Sequence, residues 1–168
     1  MTDDARRWIE RLELQRHPEG GWYRETYRAA GSIPAAVLPG GFTGPRAFAT
    51  SVYFLLARPE VSTLHRLRAD EVWYHHAGGA LIVTAIDPAG TVTSVRVGAA
   101  FERRERLQAT VPAGSWFGAE LAADAEFALV GCMVAPGFDF ADFELARRAD
   151  LTAVYPRHAA LIERLTRA

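Results

Sequence analysis

Between Trp22 and Ala135 the chain passes through nine short segments rich in Val, Thr, Tyr and Phe, separated by Gly, Pro or Asp, and this spacing leaves few folds open. The segments lie at roughly 22–29, 47–57, 61–67, 71–77, 80–86, 91–97, 106–111, 115–121 and 126–134. Helical spacing is confined to the two ends. Residues 3–14 place Ala5, Trp8, Ile9 and Leu12 on one face behind a Thr2 or Asp3 cap. After Pro136-Gly137 the pattern turns helical again, and Pro156 opens a last helix whose face carries His158, Leu161, Ile162 and Leu165. Without an internal repeat or linker, these segments predict one all-β domain over 1–168. A jelly-roll barrel fits best, with its core at about 22–135 and helical termini at 3–14 and 140–167. Asp87-Pro88-Ala89-Gly90 marks a hairpin turn, and Arg68-Ala69-Asp70 is expected to close a second one between 61–67 and 71–77. The stretch 31–46, GSIPAAVLPGGFTGPR, holds four Gly and three Pro in 16 residues and is too long for an ordinary connection. It reads as a mobile lid or a partner-gripping arm.

Composition removes several chemistries. All 19 basic residues are Arg, so there is no lysine for a Schiff base, a pyridoxal phosphate anchor or a phosphate loop. No Asn is present either, which excludes N-glycosylation. A formal charge of -1 offers no footprint for nucleic acid. The longest largely apolar run, 47–57, is far too short to span a bilayer, and the acidic start MTDDARRW is unlike a secretory signal. A chain of this size buries roughly 70% of its unfolded surface, so any metal would serve function rather than hold the fold. Cys132, the single cysteine, falls in the apolar run 127–134 and reads as a buried, inert thiol. The expected setting is the cytoplasm, with neither a nucleic-acid nor a membrane partner.

Chemistry concentrates in Ser62 to Gly79, followed about thirty residues later by Val111-Pro112-Ala113-Gly114-Ser115-Trp116-Phe117. These stretches resemble the two cupin motifs. His65, Glu71 and Gly78 match the first, whose second His position is Leu67; Pro112 and Gly114 match the second, whose His position is Phe117. In metal-binding cupins three His and the Glu hold one ion, and this chain keeps two of those four ligands. Two ligands bind zinc or iron weakly, so no intact metal centre is expected, only a weak divalent site at His65 and Glu71. On a strand, His75 would lie roughly 13 Å from Glu71, and His76 would face the other way. Across a hairpin, His65 would instead lie diagonal to Glu71 and opposite Trp73. A carboxylate orienting one imidazole nitrogen leaves the other as a general base near neutral pH, which nominates His65 and Glu71 as catalytic. The alternative is that they satisfy each other in a polar-lined barrel.

The likeness extends further. His17-Pro18-Glu19-Gly20-Gly21-Trp22-Tyr23-Arg24-Glu25-Thr26, Thr50 to Leu56, His65 to Trp73, Gln108 with Val111 to Ala119, and Ala135 to Phe140 with Asp142-Phe143-Glu144 resemble, in that order, cupin family 5, the domain of unknown function 985. The resemblance covers nearly the whole chain. It implies a double-stranded β-helix of the type found in dTDP-sugar epimerases, a homodimer, and a pocket inside the barrel with no established reaction. The family's usual Trp before the motif His is Leu64 here, which suggests a smaller side chain beside the pocket.

Candidate pocket residues are Tyr23, Glu25, Tyr53, Trp73, His75, Gln108, Trp116 and Phe117. Tyr23 and Glu25 alternate with Trp22 and Arg24, so only one pair can face inward, and the sequence does not say which. Trp116 could stack on a ligand or simply fill the core. His17-Pro18-Glu19-Gly20-Gly21 reads as a helix stop and turn. Phe138, Phe140 and Phe143 read as a clamp for the C-terminal segment, and Arg103-Arg104-Glu105-Arg106 as a solvated loop. Three functions remain open. One is a metal-independent isomerase, epimerase or lyase acting on a small, sugar-like metabolite, with Tyr53 or Tyr23 as acid. The others are a non-catalytic small-molecule binder and a metal-dependent oxygenase or hydrolase with an atypical site.

Overall fold

The computed structural model describes residues 1–167. Strand segments follow the order β1 (Gln15–Arg16), β2 (Trp22–Arg28), β3 (Ser32–Ile33), β4 (Arg46–Ala47), β5 (Thr50–Ala57), β6 (Ser62–Arg66), β7 (Asp70–Gly78), β8 (Leu81–Ile86), β9 (Val92–Val97), β10 (Gln108–Val111), β11 (Trp116–Leu121), β12 (Phe127–Ala135) and β13 (Glu144–Leu145). Helices α1 (Asp3–Arg11), α2 (Arg148–Val154) and α3 (Ala159–Arg164) flank them. The nine long strands lie where alternating apolar runs place them. Two antiparallel sheets, ordered β1-β2-β5-β12-β7-β10 and β13-β6-β11-β8-β9, form a jelly roll.

Alternation along the strands builds three apolar layers. Phe54, Leu56, Trp73, Val83, Phe117 and Val130 fill the space between the sheets. Leu55, Ala57 and Leu129 point the other way and pack under Ala5 and Leu14, with Trp8, Ile9, Trp22 and Tyr53 around them. The outer face of the second sheet carries Leu64 and Ile86, covered by Leu151, Ile162 and Leu165 of the C-terminal segment. Helix α1 starts where Thr2 Oγ1 accepts a bond from Ala5 N at 3.3 Å, with Asp3 and Asp4 in the first turn and Arg11 in the last.

One expectation needs correction. The hairpin 61–67 to 71–77 does not form: β6 pairs with β11 and β13, whereas β7 pairs with β12 and β10, so the chain changes sheet between them. Leu67 and Ala69 are buried at this crossing, and their burial between the sheets outweighs the turn signal. At the C-terminus Tyr155, at φ -124° and ψ 63°, ends α2, and Pro156 opens the last helical turn. The stretch 31–46 is anchored at its base, where Ser32 pairs with Ala47 and Ile33 with Arg46. The Arg46 guanidinium is buried and donates two hydrogen bonds to Asp142, at 2.6 and 2.8 Å.

Candidate active site

A cavity of about 320 Å³ opens at one end of the barrel, against the concave face of β2, β5, β12 and β7. Period-two alternation selects its lining: Tyr23 and Glu25 from β2, Thr50, Val52 and Phe54 from β5, Glu71 from β7, and Cys132 and Val134 from β12. Trp22 and Arg24 therefore face outward, Trp22 into the α1 layer and Arg24 toward Glu13 at 2.7 Å. His65 and Leu67 enter from the other sheet, and Phe138, Asp139, Phe140 and Phe143 close the mouth.

The polar centre comes from the turn after α1. Gly20 has φ +113°, and a Cβ there would lie 2.3 Å from the Val61 carbonyl oxygen, so only glycine lets this turn settle against β6. Gly21 N donates to Glu60 Oε2 at 3.0 Å, and Thr63 N donates to the Glu19 carbonyl at 2.8 Å. His17 and Glu19 are thereby held inside. Glu19 Oε1 accepts from Ser62 Oγ at 2.7 Å, while Oε2 lies 3.1 Å from His17 Nδ1 and 3.5 Å from His65 Nε2. His17 Nδ1 also lies 3.3 Å from the Glu19 backbone N–H. The carboxylate contact is the shorter and is charge-assisted when the ring is protonated. His65 Nδ1 donates to the Thr63 carbonyl at 2.8 Å, which fixes the ring. Phe117 lies behind His65 at a centroid distance of 4.1 Å, and Tyr23 meets His17 edge-on at 4.5 Å.

Two buried carboxyls thus share one cavity in different surroundings. Burial works to raise the pKa of Glu19, but His65, His17 and the Ser62 hydroxyl together hold it below its ordinary 4.5. Burial, reinforced by the charge on Glu19, pushes Glu71 up to about 8, against a smaller opposing effect from its hydrogen bond with Cys132. Near neutral pH Glu19 is the anion and Glu71 the acid. Burial, with Glu71 and Glu19 nearby, pushes the Cys132 thiol well above its ordinary range, which keeps it protonated.

The carboxylate beside His65 is consequently Glu19 and not Glu71; with β6 and β7 in different sheets, the diagonal pairing expected of a hairpin does not exist. Both residues nevertheless line the cavity, as do Tyr23 and Glu25. The other six candidates lie off it. Tyr53 is on the outer face of β5, 5.7 Å from the ring of His76, where Gly131 leaves room for the imidazole. Trp73 is buried between Phe54 and Phe117, its indole N–H without a hydrogen-bond partner. A bulge in β7 makes Val130 face His75 and Leu129 face Ala77; His75 Nε2 then lies 3.3 Å from the Gly79 carbonyl. Gln108 is exposed on β10, and Trp116 faces outward beneath the Arg66 guanidinium at 4.6 Å. Phe117 supports His65 from within the core rather than lining the cavity.

Leu64 also points away from the cavity, into the layer under α2 and α3, so its size leaves the pocket unchanged. Glu105 is not solvated: it accepts from Ala100 N at 2.8 Å and lies 3.4 Å from Arg96. His17 and Glu19 were concealed because their turn chemistry explains the local sequence completely. The signal that could have found them is a His and a Glu preceding a Gly-Gly pair, a combination that a plain helix stop does not require.

The donor set does not fit the metal centre of metal-binding cupins. Leu67 and Phe117 stand at two of the four ligand positions, which leaves only His65 and Glu71. Among the described residues no group of three or more His, Cys, Asp or Glu could hold an ion.

This jelly roll, with a polar cavity at the end of its barrel, defines a cupin-type protein. The chain belongs to the Cupin_5 family of the cupin superfamily (DUF985), whose model matches residues 6–146. It is similar to a hypothetical protein from Leishmania major, with 40% identity and a TM-score of 0.88 over 98% of this chain and 99% of that one. A protein from Shewanella oneidensis has 44% identity and a TM-score of 0.86 over 99% of both chains. A single-residue variant of oxalate decarboxylase from B. subtilis shares the fold alone, with 18% identity and a TM-score of 0.55 over 92% of this chain and 38% of that one. No curated protein matches this chain.

Proposed function

We propose that the protein is a metal-independent acid–base enzyme of the isomerase, epimerase or lyase kind, acting on a small polar metabolite held in the cavity. The observation that carries this reading is the convergence of Glu19, His17, His65 and Glu71 on one cavity of about 320 Å³. An ionised carboxylate beside an imidazole and a second carboxyl kept protonated supply a base and an acid at the same pH, which is what proton transfer at carbon requires. In this reading His65, whose ring the Thr63 carbonyl orients through Nδ1, removes the proton with Nε2 on the side of Glu19, and Glu71 returns one or protonates the developing oxyanion. Tyr23, 4.5 Å from His17, is the tyrosine placed to assist. Tyr53, on the outer face, is not.

The test is solvent exchange. Small aldoses, ketoses, amino sugars and oxo acids are incubated with the protein in D₂O, and deuterium entering C–H positions is followed by NMR. Exchange that is lost in His65→Gln and in Glu71→Gln, with binding kept, is the expected result. A ligand that copurifies with the protein and never exchanges would replace this reading with that of a binding protein. We further propose that the chain works as a homodimer in the cytoplasm, a reducing setting that suits its single free thiol.

A further inference from the structure

The charge of the ligand can be read from how the cavity wall is balanced. Glu19, Glu25 and Asp139 line it as carboxylates against one guanidinium, that of Arg28, while Glu71 adds a neutral acid. Arg28 is already committed: it donates to both Glu25 oxygens, at 2.9 and 2.7 Å, and to the Phe138 carbonyl at 3.2 Å. An incoming carboxylate or phosphate would therefore find no uncommitted cation in the wall except the two imidazoles, which face Glu19. Asp139 makes the opposite offer. It lines the cavity beside Phe138 and Phe140 and is exposed, and its Oδ1 accepts from Ala141 N at 2.8 Å with no guanidinium bonded to it, which leaves carboxylate oxygen capacity for a cation. At the mouth the rings of Phe138, Phe140 and Phe143 lie edge to face at 5.0 to 6.2 Å, and their π-faces favour positive charge.

We propose that the ligand of this cavity is a small polar molecule carrying a protonated amine, recognised by Asp139 and by the aromatic mouth. The inference rests on the cavity being the working site, as proposed above, and adds the chemical class of the substrate. The protein neither takes oxalate nor binds sugar phosphates in this cavity, because either would bring unmatched negative charge beside Glu19.

Glucosamine, glucose and glucuronate share one ring and nearly one volume and differ in charge, so they serve as probes. Each is titrated into the full-length protein at pH 7, with the His17 and His65 ring resonances observed by NMR. Glucosamine is expected to bind at least about tenfold more tightly than glucuronate, with glucose between them. Asp139→Asn, whose side-chain oxygen can still accept from Ala141 N, should reduce the advantage of glucosamine over glucose. Glucuronate or oxalate binding as well as glucosamine would overturn the proposal, as would equal binding of glucose and glucosamine, or no shift of the ring resonances by glucosamine at tens of millimolar. Selective amine binding without deuterium exchange leaves this inference standing and removes the enzymatic reading; exchange confined to an anionic compound does the reverse.

Discussion

Glu71 and Glu19 carry the same functional group and respond to pH in opposite senses. Glu71 titrates at about 8 in the folded protein and near its ordinary 4.5 in the unfolded chain. Between these values the folded state holds a proton that the unfolded state has released, so its contribution to stability is complete below 4.5 and is lost as pH rises to about 8. Glu71→Gln cannot ionise and should flatten that slope, gaining on the parent protein as pH rises; urea unfolding at a series of pH values measures it. Glu19 has its pKa lowered, so its contribution is present above 4.5 and lost as pH falls through the depressed value. Removing its charge in Glu19→Gln leaves two histidines without their carboxylate and should cost about 3–5 kcal/mol near neutral pH. The same unfolding series checks this. A Glu19→Gln protein as stable as the parent at pH 7 would mean that the cluster does not hold the turn to β6.

Strands position these groups, and β6 is held by a close approach that only glycine allows. Gly118 lies at the irregularity between β11 and β6, where a Cβ would be 2.6 Å from the Ser62 carbonyl oxygen and 3.1 Å from Leu64 N. Both contacts are backbone and cannot swing aside. Gly118→Ala should destabilise by about 1–3 kcal/mol and displace β6, and with it the Ser62 bond to Glu19 and the ring of His65. Calorimetry together with the histidine ring resonances would register both effects; a shifted melting temperature with unmoved resonances would mean that the sheet absorbs the strain elsewhere. The mouth is secured by a different element contact, the buried Arg46–Asp142 pair, which ties β4 to the turn Phe140–Asp142. Arg46→Ala strands the Asp142 charge, with only Arg68 at 3.7 Å, and should cost about 3–5 kcal/mol. Hydrogen exchange should then rise first at residues 138–143, and unchanged protection there would contradict the anchoring role.

At the scale of the whole molecule, the fold was legible because its information is local. Alternation and turn residues placed all nine long strands to within a few residues, and the motif order identified the family. The site was only partly legible because it is assembled across sheets. His65 and Glu71 stand on strands that separate at Leu67, and the carboxylate that His65 meets comes from 46 residues earlier, through a turn whose glycines looked sufficient as a helix stop. No pattern confined to one hairpin contains that contact. The outer surface leaves a last consequence. Strand β10 is an unpaired sheet edge, and the connection leading into it exposes Phe101 at 89% and Leu107 at 65%. Edges and large apolar side chains left open in this way favour association, and a second copy of the chain pairing across this face would cover both. Light scattering at micromolar concentration should give twice the chain mass of 18.5 kDa, and Leu107→Glu with Phe101→Glu should halve it without unfolding the protein. A parent protein that is already monomeric would remove the dimer proposal, and a dimer that survives both substitutions would move its interface to another face.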